Sequence, residues 1–254
     1  MSEPHPPWLP GPADINSDER FLENGDLKPY RAMFNFLRLS PSYEKARREA
    51  DEGAAFSGLP RDFDQVRQTY ALLGDVRFTN FVRWWRERGF NAFGRKTGTV
   101  VIPVKIGARE DMLRQVSTYL DSHDLGGPLM KLRRAPRGDV IAKGLMLLWA
   151  KANQPELELW RLGTAVELSE DYAKELRCPN PPKYERDMMA KITGRELVNF
   201  ESMAENAARG LFPADAPEHK DCFDWAEVKA RMDLFHKWES DERIRYRAAP
   251  DSFV

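Results

Sequence analysis

A chain of 254 residues with 42% hydrophobic content is long enough to bury a core and suits one large domain or two small ones. Its 39 basic and 40 acidic residues leave a net charge of -1, which excludes a histone-like polycation but leaves room for a local basic patch. No stretch approaches the roughly 18 uninterrupted apolar residues of a membrane helix, so no membrane span is expected.

The opening MSEPHPPWLPGPADINSDER lacks a basic start followed by an apolar run, so no secretory signal is expected. Two cysteines, Cys178 and Cys222, allow at most one bridge and suit a reducing cytoplasm. Seven Trp and fourteen Phe argue for a packed fold.

Residues 1–27 are rich in proline and glycine without periodicity and read as an extended arm. Tyr30, Met33, Phe34 and Leu37 then fall at helical spacing. Ser40 before Pro41 is an N-cap followed by a first-turn proline, so a second helix is expected through Tyr43, Ala46 and Ala50. Gly53 to Pro60 reads as a loop. Phe63, Val66, Tyr70 and Leu73 predict a third helix ended by Gly74, and Phe78, Phe81, Val82 and Trp85 a fourth that fades near Gly89.

The character changes at TVVIPVKI, residues 99–106, the best strand pattern in the chain, with Pro103 suggesting an edge or a bulge. Helical spacing returns at Met112, Val116, Tyr119 and Leu120. Asp139 can cap an apolar helix through Val140, Ile141, Leu145 and Leu148. A short helix around Leu157 and Trp160 is expected to stop at Gly163, and Ser169 to cap another through Leu176. CPNPP at 178–182 is a breaker. Leu197, Phe200, Ala204 and Ala207 predict a helix closed by Gly210, and Trp225, Val228, Met232 and Phe235 the last one, before a polar tail from Glu239.

The expected fold is therefore mainly α, a multi-helix globular protein with a small β element near residues 99–106. The expected organisation is an arm (1–27), an N-terminal helical domain (28–98), a strand plus helical domain (99–180), and a C-terminal helical segment with its tail (181–254).

Enzyme signatures are weak. Cys178, His219, Cys222 and His236 lack the close CxxC or HxxxH pairs of a zinc site, so no metal is expected. Asp215 with Glu227-Val228-Lys229 matches a nuclease carboxylate set in letters only, because Glu227 sits in a helical pattern. There is no GxSxG elbow. FGRKTGT at 93–99 lacks the order of a phosphate-binding loop. No cofactor and no enzymatic activity are expected.

Basic stretches interleaved with aromatics are the better signal. Residues 83–96 set Arg83, Arg86, Arg88, Arg95 and Lys96 against Glu87 alone. Residues 131–143 set Lys131, Arg133, Arg134, Arg137 and Lys143 against Asp139. Residues 28–50 carry six bases against Glu44 and Glu49, and residues 201–254 compensate with twelve acids against eight bases. Such segregation can present a phosphate-binding face, for which Arg83, Arg86, Arg88, Arg95, Lys96, Lys131, Arg133 and Arg134 are the candidates. Solvated helix faces are the competing explanation, and Trp84 or Trp85 is better read as core than as a base-stacking platform. Residues 139–177 fit either a helix-turn-helix or a plain three-helix packing unit. The would-be recognition helix begins with the acids Glu170 and Asp171.

YRAMFNFLRLSPSYEKARREA at 30–50 with FVRWWRERGFNAFG at 81–94 resembles regulator-like proteins of proteobacterial integrative elements and prophages, through Phe34, Phe36, Leu37, Arg38, Pro41, Tyr43, Trp84 and Trp85. Ile102-Pro103 and the helices from Asp139 to Leu176 are similar to the DNA-binding domain of a type VI secretion activator. Leu159 to Gly163 stands where that domain carries its Gly-x-Ser-x-x-x-Ile-Ala signature. AENAARGLFP at 204–213 resembles segments of mobile-element proteins. The resemblance implies a cytoplasmic nucleic-acid-binding regulator, with DNA preferred over RNA, in a homo-oligomer or a larger bacterial complex. The alternative is a non-enzymatic interaction or scaffold subunit of a nucleoprotein or defence assembly.

Overall fold

The computed structural model describes residues 27–93, 104–122, 129–132, 138–215 and 223–248. Its helices are α1 (Lys28–Leu39), α2 (Pro41–Glu52), α3 (Phe63–Leu73), α4 (Phe81–Trp84), a π-helical turn (Trp85–Gly89), α5 (Phe90–Phe93), α6 (Arg109–Ser122), α7 (Gly138–Asn153), α8 (Leu159–Ala165), α9 (Glu170–Leu176), α10 (Lys183–Ala208) and α11 (Trp225–Ala248). The protein is mainly helical, as its periodicities require. Of the expected β element, residues 99–103 lie outside the described residues, and Val104–Ile106 form no strand. Within that segment the backbone of Lys105 instead exchanges hydrogen bonds with the Gln115 side chain of α6, at 3.0 and 3.4 Å.

The sequence explains the element ends. Ser40 caps α2, its Oγ accepting from Tyr43 N at 3.1 Å with Pro41 behind it. Gly53 closes α2 in the left-handed region at φ 68°, where a side chain would strain the backbone. Gly163 behaves otherwise than its sequence suggests. It lies inside α8 and does not stop it. A Cβ there would stand 2.0 Å from Thr193 Oγ1 and 2.8 Å from Met189 Sδ, so the missing side chain lets α8 lie against α10. Ser169 sits at the N-cap of α9 but makes no side-chain cap bond. The tail expected from Glu239 continues instead as α11 to Ala248.

α10 is the hub, packing against α1, α2, α3, α7, α8 and α9. At 26 residues it spans about 39 Å at the helical rise. Its last seven residues, Ser202 to Ala208, are buried on every side, which the small side chains among them permit. Gly144 of α7 admits the Phe200 ring, since a Cβ there would stand 2.2 Å from it. One continuous apolar cluster runs from Met33 and Phe36 through Leu147 and Leu162 to Ala204, Phe212 and Met232. α9 adds a smaller cluster, Ala173 and Leu176 on Met189. Among the described residues, no helix is long and apolar enough to cross a membrane.

Candidate phosphate-contact surface

The stretch 81–93 is organised by its aromatics. Asn80 caps α4, its Oδ1 accepting from Arg83 N at 2.8 Å. Phe81, Trp84 and Phe93 are buried. Trp84 is 1% exposed, and its Nε1 donates to Leu73 O at 2.9 Å, so it is core. Trp85 stacks on Phe93 at 6.3 Å and meets Tyr30 at 4.8 Å. The π turn ends at Gly89, where a Cβ would lie 2.5 Å from Trp85 Cε3. A π turn re-aims the side chains that follow it. With the rings inside, Arg83, Arg86 and Arg88 remain on the exposed side. Arg83 pairs with Glu87 at 2.9 Å. Arg88 runs over Gly74, its Nε 3.3 Å from where a Cβ would stand.

Two other basic stretches reach the same element. Met130 N donates to Ala92 O at 2.9 Å, which sets the exposed Lys131 beside the end of α5. Tyr30 contacts both Trp85 and Phe93, bringing the start of α1, with exposed Lys28, alongside. Arg95, Lys96, Arg133 and Arg134 lie outside the described residues. Part of the 28–50 charge is not on the surface. Arg47 is 4% exposed and bound to Glu44 and Glu52, each at 2.8 Å. The Arg38 guanidinium sits over the rings of Phe34 (4.1 Å) and Phe235 (3.7 Å).

Arg38 and Arg47 face a narrow cleft, with room for about 10 Å³, that Asp75, Arg77, Glu44 and Arg231 also line. Arg38 donates to Val76 O at 2.9 Å and Thr79 O at 2.5 Å. Part of its surface remains exposed, yet the dense surroundings strip its hydration and push its pKa down to about 9, against the pull of Glu239. Arg231, from α11, donates to Ser40 O and Leu39 O, both at 3.3 Å, and so caps the carbonyl end of α1. Its Nε is buried without a hydrogen-bond partner, and burial lowers its pKa against the pull of Glu44 and Glu227. Asp75 is raised by burial, but the side-chain and backbone hydrogen bonds from Arg77 outweigh this and hold it below its usual value. Tyr43, buried and raised well above its usual value, stays protonated and donates to Gly74 O at 2.7 Å.

A polar network beside this cleft was not legible in the sequence. Glu205 of α10, fully buried, accepts from Ser40 Oγ at 2.6 Å, from Ser42 N at 3.1 Å and from Ser42 Oγ. Arg209 binds Glu205 at 3.1 Å and Asp62 at 2.6 Å. AENAARG thus seats a carboxylate on the N-terminus of α2, where the helix dipole and unpaired N–H groups favour negative charge.

Among the described residues the remaining candidates do not converge. Cys178 is exposed, His236 meets the Trp149 ring edge-on at 4.7 Å, and His219 and Cys222 lie outside the described residues. Lys229 pairs with Asp233 at 2.7 Å. Among the described residues no three His, Cys, Asp or Glu side chains come together as metal ligands. α9 exposes Glu170, Asp171 and Glu175. Comparison with protein families, curated proteins and solved structures finds no match to this chain.

Proposed function

We propose that this protein is a non-enzymatic, nucleic-acid-binding regulator of a bacterial mobile element, contacting phosphates through the surface built on residues 83–93. The supporting observation is the exposed trio Arg83, Arg86 and Arg88 on a rigid aromatic base, with Lys131 bonded in beside it through Met130. Arg95, Lys96, Arg133 and Arg134 extend the surface in sequence. The resemblance to integrative-element regulators supports DNA over RNA. Phosphate contacts position a protein without reading sequence, so affinity falls steeply with salt, with a log-log slope of roughly -0.9 per phosphate on duplex DNA. Filter binding at low salt tests this. Arg86→Glu with Arg88→Glu, or Arg95→Glu with Lys96→Glu, weakens binding to all sequences alike. Absence of association with duplex DNA, single-stranded DNA and RNA at micromolar protein ends the proposal.

The second reading is an interaction or scaffold subunit of a larger assembly. It is favoured by apolar side chains left in solvent beside the same surface, Phe90 at 56% and Leu129 at 55% exposed.

A further inference from the structure

We propose that the surface on residues 83–93 binds single-stranded DNA, with an unpaired base stacked on the Phe90 ring and the neighbouring phosphates at Arg86 and Lys131. The proposal rests on the nucleic-acid reading above and names the form of nucleic acid that this surface takes. The π turn is the first argument. Phe90 N donates to Trp85 O, five residues back, so the turn holds one residue more than an α-helical turn. Such turns are rare and recur at functional sites. The other rings of this stretch go inside: Phe81, Trp84 and Phe93 are buried and Trp85 is half-buried. Phe90 stands 56% exposed and forgoes the burial that its neighbours obtain. A turn closed over five residues sets Phe90 above Trp85 and Arg86, so the exposed Arg86 and the exposed ring share one side of the helix.

Charge complementarity is the second argument. Residues 81–93 hold Arg83, Arg86 and Arg88 and one carboxylate, Glu87, which pairs with Arg83 at 2.9 Å. Leu129 and Lys131, both exposed, flank the buried Met130, whose N donates to Ala92 O at 2.9 Å, two residues beyond Phe90. An exposed ring edged by cations and one further apolar side chain suits a strand that offers base faces and phosphates in alternation. In a duplex the bases stack on one another and present only their edges in the grooves, which leaves the Phe90 ring without a partner. A protein partner covers the two apolar side chains. A strand also answers the cations around them.

The test is fluorescence anisotropy of the full chain at low salt with four labelled probes of equal length: oligo-thymidylate, a DNA strand that lacks its bases, a DNA duplex, and oligo-uridylate. Oligo-thymidylate is expected to bind about tenfold more tightly than the baseless strand, the worth of one stacked base, and more tightly than the duplex. Phe90→Ala should weaken oligo-thymidylate by about tenfold and close the gap to the baseless strand. Phe90→Trp should bind at least as tightly as the wild type. Phe90→Leu keeps an apolar side chain for a protein partner but has no ring, and should also weaken the strand. The position is exposed, so all three variants should keep the wild-type Tm, read by thermal unfolding. Equal affinity for the strands with and without bases, a preference for the duplex, or undiminished binding in Phe90→Ala overturns the stacking site. If Arg86→Glu with Arg88→Glu still weakens binding in that case, the phosphate surface stands by itself. Tighter binding of oligo-uridylate than of oligo-thymidylate overturns the choice of DNA. Absence of binding to all four probes ends this proposal together with the nucleic-acid reading.

Discussion

Glu205 reaches across from α10 to accept the Ser40 hydroxyl at 2.6 Å, joining positions 165 residues apart in the chain. The hydroxyl that caps α2 is thereby itself fixed by a buried carboxylate. Glu205→Ala would leave Arg209 short of a partner and the first turn of α2 unsatisfied. The expected loss is about 3–5 kcal/mol by urea denaturation, with a smaller loss for Glu205→Gln, which keeps an acceptor for Ser40.

Trp84→Ala is expected to cost about 3–5 kcal/mol, since the ring is 1% exposed and its Nε1 is bonded to Leu73 O. Affinity of the folded fraction for nucleic acid should stay unchanged. A variant that keeps its melting temperature and loses affinity would contradict the core assignment.

Gly163→Ala tests the contact of α8 with α10. With Thr193 Oγ1 at 2.0 Å and Met189 Sδ at 2.8 Å from the new Cβ, overpacking should destabilise by about 1–3 kcal/mol. Gly138→Ala, which meets nothing within 4 Å, is the control and should unfold at or above the wild-type temperature.

Asp75 governs an acid limb. Its carboxyl is held below the usual 3.8 by Arg77, against burial. The unfolded chain therefore binds more protons than the folded one in that range, and stability rises with pH. The contribution is present above the unfolded value and is lost as pH falls through the lower folded one. Asp75→Asn should cost roughly 1.5–3 kcal/mol at neutral pH, the worth of hydrogen bonds to a charged group. Wild type and variant should converge at the acid end of a pH series of denaturation curves.

Helices with one apolar face were legible in the sequence: α1 through Met33, Phe34 and Leu37, and α3 through Val66, Tyr70 and Leu73. α10 was only half legible, because a helix buried all round carries no stripe, and Ser202, Glu205 and Asn206 look like solvent positions until their partners are placed. Gly163 reads as a helix stop for a related reason: glycine breaks an exposed helix but permits close approach in a packed one. TVVIPVKI has strand composition, yet Val104–Ile106 form no strand. The basic stretches were visible as charge, but the inward turn of Arg38 depends on Phe34 and on Phe235, nearly two hundred residues away. The cleft depends on the same long-range pairing and left no local pattern.

The hub position of α10 sets an order on biosynthesis. Phe36 is fully buried and meets Phe212 at 5.5 Å, while Ser42 meets Glu205 from 163 residues away. At a synthesis rate of about 5–20 residues per second, the interval between making Ser42 and making Glu205 is roughly 8–33 s. During that time α1 and α2 exist without the helix that covers them. Nascent chains arrested before α10 should therefore recruit a ribosome-associated holdase, and chains arrested after Phe212 has cleared the exit tunnel should release it.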